Sequence, residues 1–136
     1  MWTKRIPQYG DHIRVNRGLY YHHGIYVDNN CVIQFASLIP GRETDPDSAS
    51  ICDTTLENFL KGGELEVRDY NNEELKTKRS PEEIVEYAKS CYGRKGYDII
   101  NNNCEHFANE CVFGERKSNQ VEDILGFLGA LFGGAR

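Results

Sequence analysis

The chain has 136 residues, 16 Lys and Arg against 21 Asp and Glu, and a formal net charge of −5. That length suits one domain with a real core, and an acidic balance without a basic run argues against nucleic-acid binding. Five cysteines, an odd number with no CxxC pair, suggest neither a disulfide framework nor a metal site, and no cofactor is expected; they point to a reducing, cytoplasmic setting. The first residues lack the apolar run of a signal peptide, and no stretch reaches the ~20 apolar residues that span a bilayer as a helix.

Residues 11–17 alternate, with Ile13 and Val15 inward, and predict a strand closed by the Asn16-Arg17-Gly18 turn signal. Residues 19–27, rich in Tyr, Ile and Val, predict a second strand that carries His22 and His23. Asp28-Asn29-Asn30 turns the chain into a third, residues 31–36, whose apolar run is interrupted by Gln34. Three such strands form a meander, hence an antiparallel sheet.

Residues 38–50 hold two prolines, a glycine and several Asp and Ser, and read as a long exposed loop of the kind that is usually functional or disordered. Residues 54–61 suit one or two helical turns before Gly62-Gly63. Residues 64–70 alternate as a strand with one wet face, and residues 71–79 read as loop or frayed helix. Ser80, Pro81 and Glu83 announce the start of a helix by N-cap, first-position proline and capping box. Its inward stripe is Ile84, Ala88, Cys91 and Tyr92, and Gly93 ends it.

The triple asparagine 101–103 suits a loop, and Asn103 is a good N-cap, which makes Cys104 the first residue of a helix that Gly114 terminates. Phe107, Ala108 and Cys111 share its buried face. A thiol there meets the positive end of the helix dipole and unpaired N–H groups; both favour thiolate, and the same N–H groups could hold an oxyanion. A small packing cysteine fits the position too, and Cys31, Cys52, Cys91 and Cys111 are read in that way. Asn119 and Glu122 mark one more helix start, with Val121, Ile124, Leu125, Leu128 and Phe132 as its apolar face. At helical rise it would be only ~18 Å long, enough to dock on the domain, pair with another chain or lie in a membrane surface.

A cysteine nucleophile needs a base and a group to orient that base. The imidazoles are His12, His22, His23 and His106. His106 lies ~200° around the helix from Cys104 and points away from it. His12 is expected to be exposed or on the sheet's other face. Neighbours His22 and His23 face opposite sides of their strand, so only one can meet the Cys104 helix. Gln34 on the paired strand could fix an imidazole tautomer or simply sit at a sheet rim.

The run Tyr20-Tyr21-His22-His23-Gly24-Ile25-Tyr26-Val27, followed by Cys31-Val32-Ile33-Gln34-Phe35-Ala36, resembles the histidine box of the lecithin:retinol acyltransferase-like family. Asn103-Cys104-Glu105-His106-Phe107 resembles its Asn-Cys motif. Gly10-Asp11 and residues 114–121 resemble the HRAS-like suppressor branch, the phospholipase A/acyltransferases. The resemblance implies an α+β fold, a circularly permuted papain-like fold of the NlpC type, over residues 1–118, followed by the short apolar helix in 119–136.

It further implies Cys104 as nucleophile, His22 as general base and Gln34 as the group that orients His22, where many relatives have a second histidine. Tyr20 and Asn103 become the oxyanion or substrate candidates. The expected chemistry is a thioester-forming acyl hydrolase or acyltransferase acting on glycerophospholipid or similar acyl esters, with peripheral membrane contact through residues 119–132. Alternatives are a permuted papain-like peptidase or isopeptidase, or a non-catalytic signalling module, which glutamine in place of histidine would suit.

Overall fold

Alternating apolar residues build a single antiparallel sheet, in a computed structural model that describes residues 1–99 and 102–114. The helix expected over 119–132 lies outside the described residues. The strands are β1 (Trp2–Thr3), β2 (His12–Asn16), β3 (Tyr21–Asp28), β4 (Cys31–Ala36), β5 (Ser50–Thr54) and β6 (Leu65–Arg68), in the order β1-β6-β2-β3-β4-β5. The meander expected from the sequence is its centre, β2-β3-β4. The helices are α1 (Leu56–Leu60), α2 (Asn72–Leu75), α3 (Pro81–Ser90) and α4 (Cys104–Phe113). Sheet and helices make a mixed α+β architecture.

Period-two alternation sorts the strand residues onto two faces. One carries Ile25, Ile33, Phe35 and Ile51 and packs against Ile84, Val85 and Ala88 of α3 and Phe107, Ala108 and Cys111 of α4. The other carries Ile13, Val15, Val32 and Val67 around Phe59 of α1. Gly24 of β3 makes that second packing possible, because a Cβ there would come within 2.8 Å of the Phe59 ring. Phe59 is fully buried, so Phe59→Ala is expected to cost about 3–5 kcal/mol. A urea midpoint that does not move would contradict this packing.

Three local readings differ from the sequence expectation, and one open reading is resolved. β1 is only two residues long, too short to carry a pattern, and it pairs Trp2 with Arg68 and Thr3 with Val67. The expected loop 38–50 ends in β5, whose Ile51 belongs to the core. The stretch 71–79, read as loop or frayed helix, resolves to the short helix α2, fixed by a capping box between Asn71 and Glu74. Tyr92 is exposed rather than inward, because α3 stops at Ser90 and helical spacing no longer applies beyond it. Its hydroxyl instead donates to Asp53 at 2.7 Å. The remaining loop is well tied: Ser37 N donates to Glu43 O, and Ser37 Oγ lies 2.7 Å from Ser48 Oγ.

Candidate active site

Asn103 caps α4 as its sequence indicates. Its side-chain oxygen accepts from His106 N at 3.0 Å, while its own N–H donates to His106 Nδ1 at 3.1 Å. Asn103 Nδ2 donates to Ile99 O at 2.8 Å. Asn103 thus fixes the helix start, and His106 serves that cap. Gly114, in left-handed conformation at φ 80°, closes the helix.

The cap delivers Cys104 to an open edge of β3. The carbonyls of Tyr20 and Tyr26 bond back toward β2, to Arg17 N and Gly10 N. By alternation the Tyr21 carbonyl points to the opposite edge. There the β3–β4 ladder stops at the pair Gly24 and Gln34. The Cys104 thiol occupies that edge, 3.8 Å from Tyr21 O, with the His23 backbone N–H and the Tyr97 hydroxyl as further hydrogen-bond partners. The sulfur therefore lies against the backbone that flanks His22.

His22 leaves β3 on the face of Phe59, its ring centroid 4.9 Å from the phenyl ring. Its Nε2 lies 2.9 Å from Gln34 Oε1, and Gln34 Nε2 reaches toward Cys52 Sγ at 3.9 Å. An amide oxygen only accepts, so His22 Nε2 carries the proton and Nδ1 keeps its lone pair. The structure thus joins His22 to Gln34 as the sequence suggests, and leaves Nδ1 as the basic atom.

Burial dominates both titrations. It pushes the Cys104 thiol up to about 12, with the Glu105 and Glu43 charges adding and the His23 N–H and Tyr97 hydroxyl opposing. This reverses the thiolate expectation: the helix dipole is present, but removal of the sulfur from water outweighs it. Burial pushes His22 down to about 4, against Glu43 and the Gln34 hydrogen bond, which favour the cation. Near neutral pH both groups are therefore uncharged, the thiol at the start of α4 and the imidazole on β3.

Two residues at this site carried no sequence signal. Tyr97, in the connection before the asparagines, is buried with its hydroxyl at the thiol. Glu43, in the 37–49 loop, accepts a two-pronged pair of bonds from Arg17 at 2.8 and 2.9 Å. Tyr20 also donates its hydroxyl to Glu43.

His12 departs from expectation as well. It is fully buried, with Nε2 2.8 Å from His23 Nδ1 and its ring against Trp2. His23 faces α4, where its Nε2 lies 3.9 Å from Glu105 Oε2. Among the described residues, no group of three or more His, Cys, Asp or Glu could hold a metal ion, and no helix is long and apolar enough to cross a membrane.

Burial holds His12, His22 and His23 all below the ordinary imidazole value of 6.5. The unfolded chain therefore binds more protons than the fold once pH drops below 6.5, so stability is complete above that value and declines as pH falls, for His22 through about 4. His22 alone accounts for roughly 2 kcal/mol between pH 7 and pH 5. Urea midpoints measured at the two pH values should fall accordingly, and equal midpoints would contradict the buried neutral state.

Several known proteins are similar to this chain over most of its length. The chain is 30% identical over 134 residues to mouse phospholipase A and acyltransferase 3, covering 90% of this chain and 81% of that protein. It is 31% identical over 125 residues to human phospholipase A and acyltransferase 4, covering 85% and 76%. Mouse lecithin retinol acyltransferase is 28% identical over 132 residues, covering 83% of this chain and 57% of that protein. The family described as lecithin retinol acyltransferase matches residues 5–117, a span that holds the whole His22, Gln34 and Cys104 constellation, and the chain belongs to that family.

Proposed function

We propose that the protein is a cysteine-dependent acyl hydrolase or acyltransferase acting on glycerophospholipid or similar acyl esters. The observation that carries this is the buried His22–Gln34 pair at 2.9 Å, whose tautomer leaves Nδ1 basic, on a strand whose Tyr21 carbonyl, just before His22, lies 3.8 Å from the Cys104 thiol. Family membership and relatives named phospholipase A and acyltransferase support the choice of acyl chemistry and lipid.

Cys104 Sγ attacks the ester carbonyl while its proton passes to His22 Nδ1, giving a tetrahedral oxyanion and an imidazolium; collapse of the oxyanion breaks the C–O bond, expels the alkoxide and leaves the thioester. The imidazolium then protonates the departing alkoxide. In the second half His22 Nδ1 takes a proton from water, or from an alcohol or amine acceptor, which attacks the thioester and restores the thiol. The N–H groups at the start of α4, held in place by Asn103, together with the Tyr20 region, stabilise the oxyanion. Because thiol and imidazole are both neutral, proton transfer accompanies attack rather than preceding it. We read the fold as circularly permuted papain-like, with the histidine strand before the cysteine helix. Residues 119–132 supply peripheral contact with a membrane.

The test offers phosphatidylcholine vesicles and a peptide panel to the same protein. Release of fatty acid from the vesicles is expected. Cleavage of peptides with intact lipid would replace this reading by a peptidase.

A further inference from the structure

The outer face of His22 is crowded with charge from three separate segments. Glu43 comes from the loop between β4 and β5, and its Oε2 lies 3.8 Å from His22 Nε2. Arg17, just after β2, grips the Glu43 carboxylate and also donates to Phe59 O at 2.6 Å and Leu60 O at 3.4 Å. Lys61, at the end of α1, places Nζ 3.6 Å from Glu43 Oε2. His23 follows His22 in the strand with its side chain on the opposite face, and the Cys104 thiol of α4 lies 3.8 Å from the carbonyl of Tyr21, the residue before His22. Among the described residues, Glu43 is the carboxylate close enough to the His22 ring to form an ion pair when the imidazole is protonated.

The placement is built rather than incidental. Glu43 is only 13% exposed at its side chain and is held by Arg17, the Tyr20 hydroxyl and its own backbone bond to Ser37. It stays ionised, drawn down to about 2 by its hydrogen bonds and cationic neighbours despite burial. Gln34 Oε1 already accepts the Nε2–H hydrogen bond, but a neutral amide cannot offset the charge His22 acquires during attack.

We propose that Glu43 is a positioning residue for His22, supplying from the 37–49 loop the negative charge that stabilises the imidazolium and that Gln34 cannot provide. The inference rests on the acyl-transfer reading given above. Arg17 and Lys61 oppose Glu43 at the ring but pin its carboxylate in place; removing Lys61 should therefore favour the imidazolium, and removing Glu43 should disfavour it.

The experiment measures kcat, KM and the acidic limb of the pH–rate profile on phosphatidylcholine vesicles. Glu43→Gln is expected to lower kcat about tenfold at pH 7 with KM little changed, and to move the acidic limb to lower pH by about one pH unit. Glu43→Asp keeps the charge and should recover most of that rate. Lys61→Gln, at a half-exposed side chain, should move the acidic limb to higher pH. A folded Glu43→Gln protein with wild-type kcat and profile, or an Asp variant as slow as the Gln variant, overturns the proposal. Should Glu43→Gln fail to fold, an acidic limb unmoved by Lys61→Gln overturns it. Should wild type show no lipid turnover at all, NMR titration of the His22 Cε1 proton in Lys61→Gln still reads the same field. An upward move then supports the charge arrangement while the acyl reading falls, and an unmoved midpoint overturns the arrangement itself.

Discussion

Cys104→Ser is expected to reduce lipid turnover by a factor of about a thousand or more. The thiol sits at the capped start of α4, only 1% exposed, against the edge of β3 beyond the end of its ladder with β4. Serine fits the same space and keeps a hydroxyl, so the fold and the Asn103 cap should be intact. A hydroxyl, however, is a far weaker nucleophile than sulfur and harder to deprotonate with an imidazole held down to about 4. The loss should fall on kcat, because substrate contacts are unchanged. A variant with kcat near wild type and normal melting would assign the chemistry to another group.

His22→Ala should cost about a hundredfold to ten-thousandfold in kcat, the range that general-base removal gives. With the imidazole gone, a thiol pushed up to about 12 has no acceptor for its proton near neutrality. Gln34→Ala should be milder. It leaves the base present but frees its tautomer, so a fraction of molecules protonates Nδ1 and is idle. The order His22→Ala slower than Gln34→Ala slower than wild type, by initial rates on vesicles, checks the division of roles. Equal losses for the two variants would mean that Gln34 does more than orient the ring. His22→Ala also leaves a gap beside Phe59, so melting curves must accompany the rates.

What could be read from the sequence was local. Ser80 and Glu83, and Asn103 ahead of Cys104, fix helix starts by bonds within four residues, and both are found as expected. The β2-β3-β4 meander follows from alternation and two short turns, and it pairs the strand of His22 with the strand of Gln34. The short histidine and Asn-Cys motifs carry the resemblance to the family whose model matches residues 5–117.

What could not be read depends on distant contacts. The sign of the Cys104 shift is one case: its helix position is visible in the sequence, but the desolvation that outweighs the dipole comes from packing against β3 and Tyr97. His12 is expected from the sequence to be exposed or on the sheet's other face, yet β1 brings Trp2 over it and it lies within hydrogen-bond distance of His23. β1 itself is too short to show a period. Glu43 is one acidic residue in a polar loop, and nothing in its neighbours indicates that Arg17 and Tyr20 will bind it beside His22.

The most direct test of the central claim is the intact mass of the protein, followed by peptide mapping, after brief incubation with phosphatidylcholine vesicles and acid quench. The account predicts a mass increase equal to one acyl chain, located on Cys104, labile to hydroxylamine and missing in Cys104→Ser. Steady release of fatty acid with no adduct on Cys104, or with the acyl group on a different residue, would contradict it.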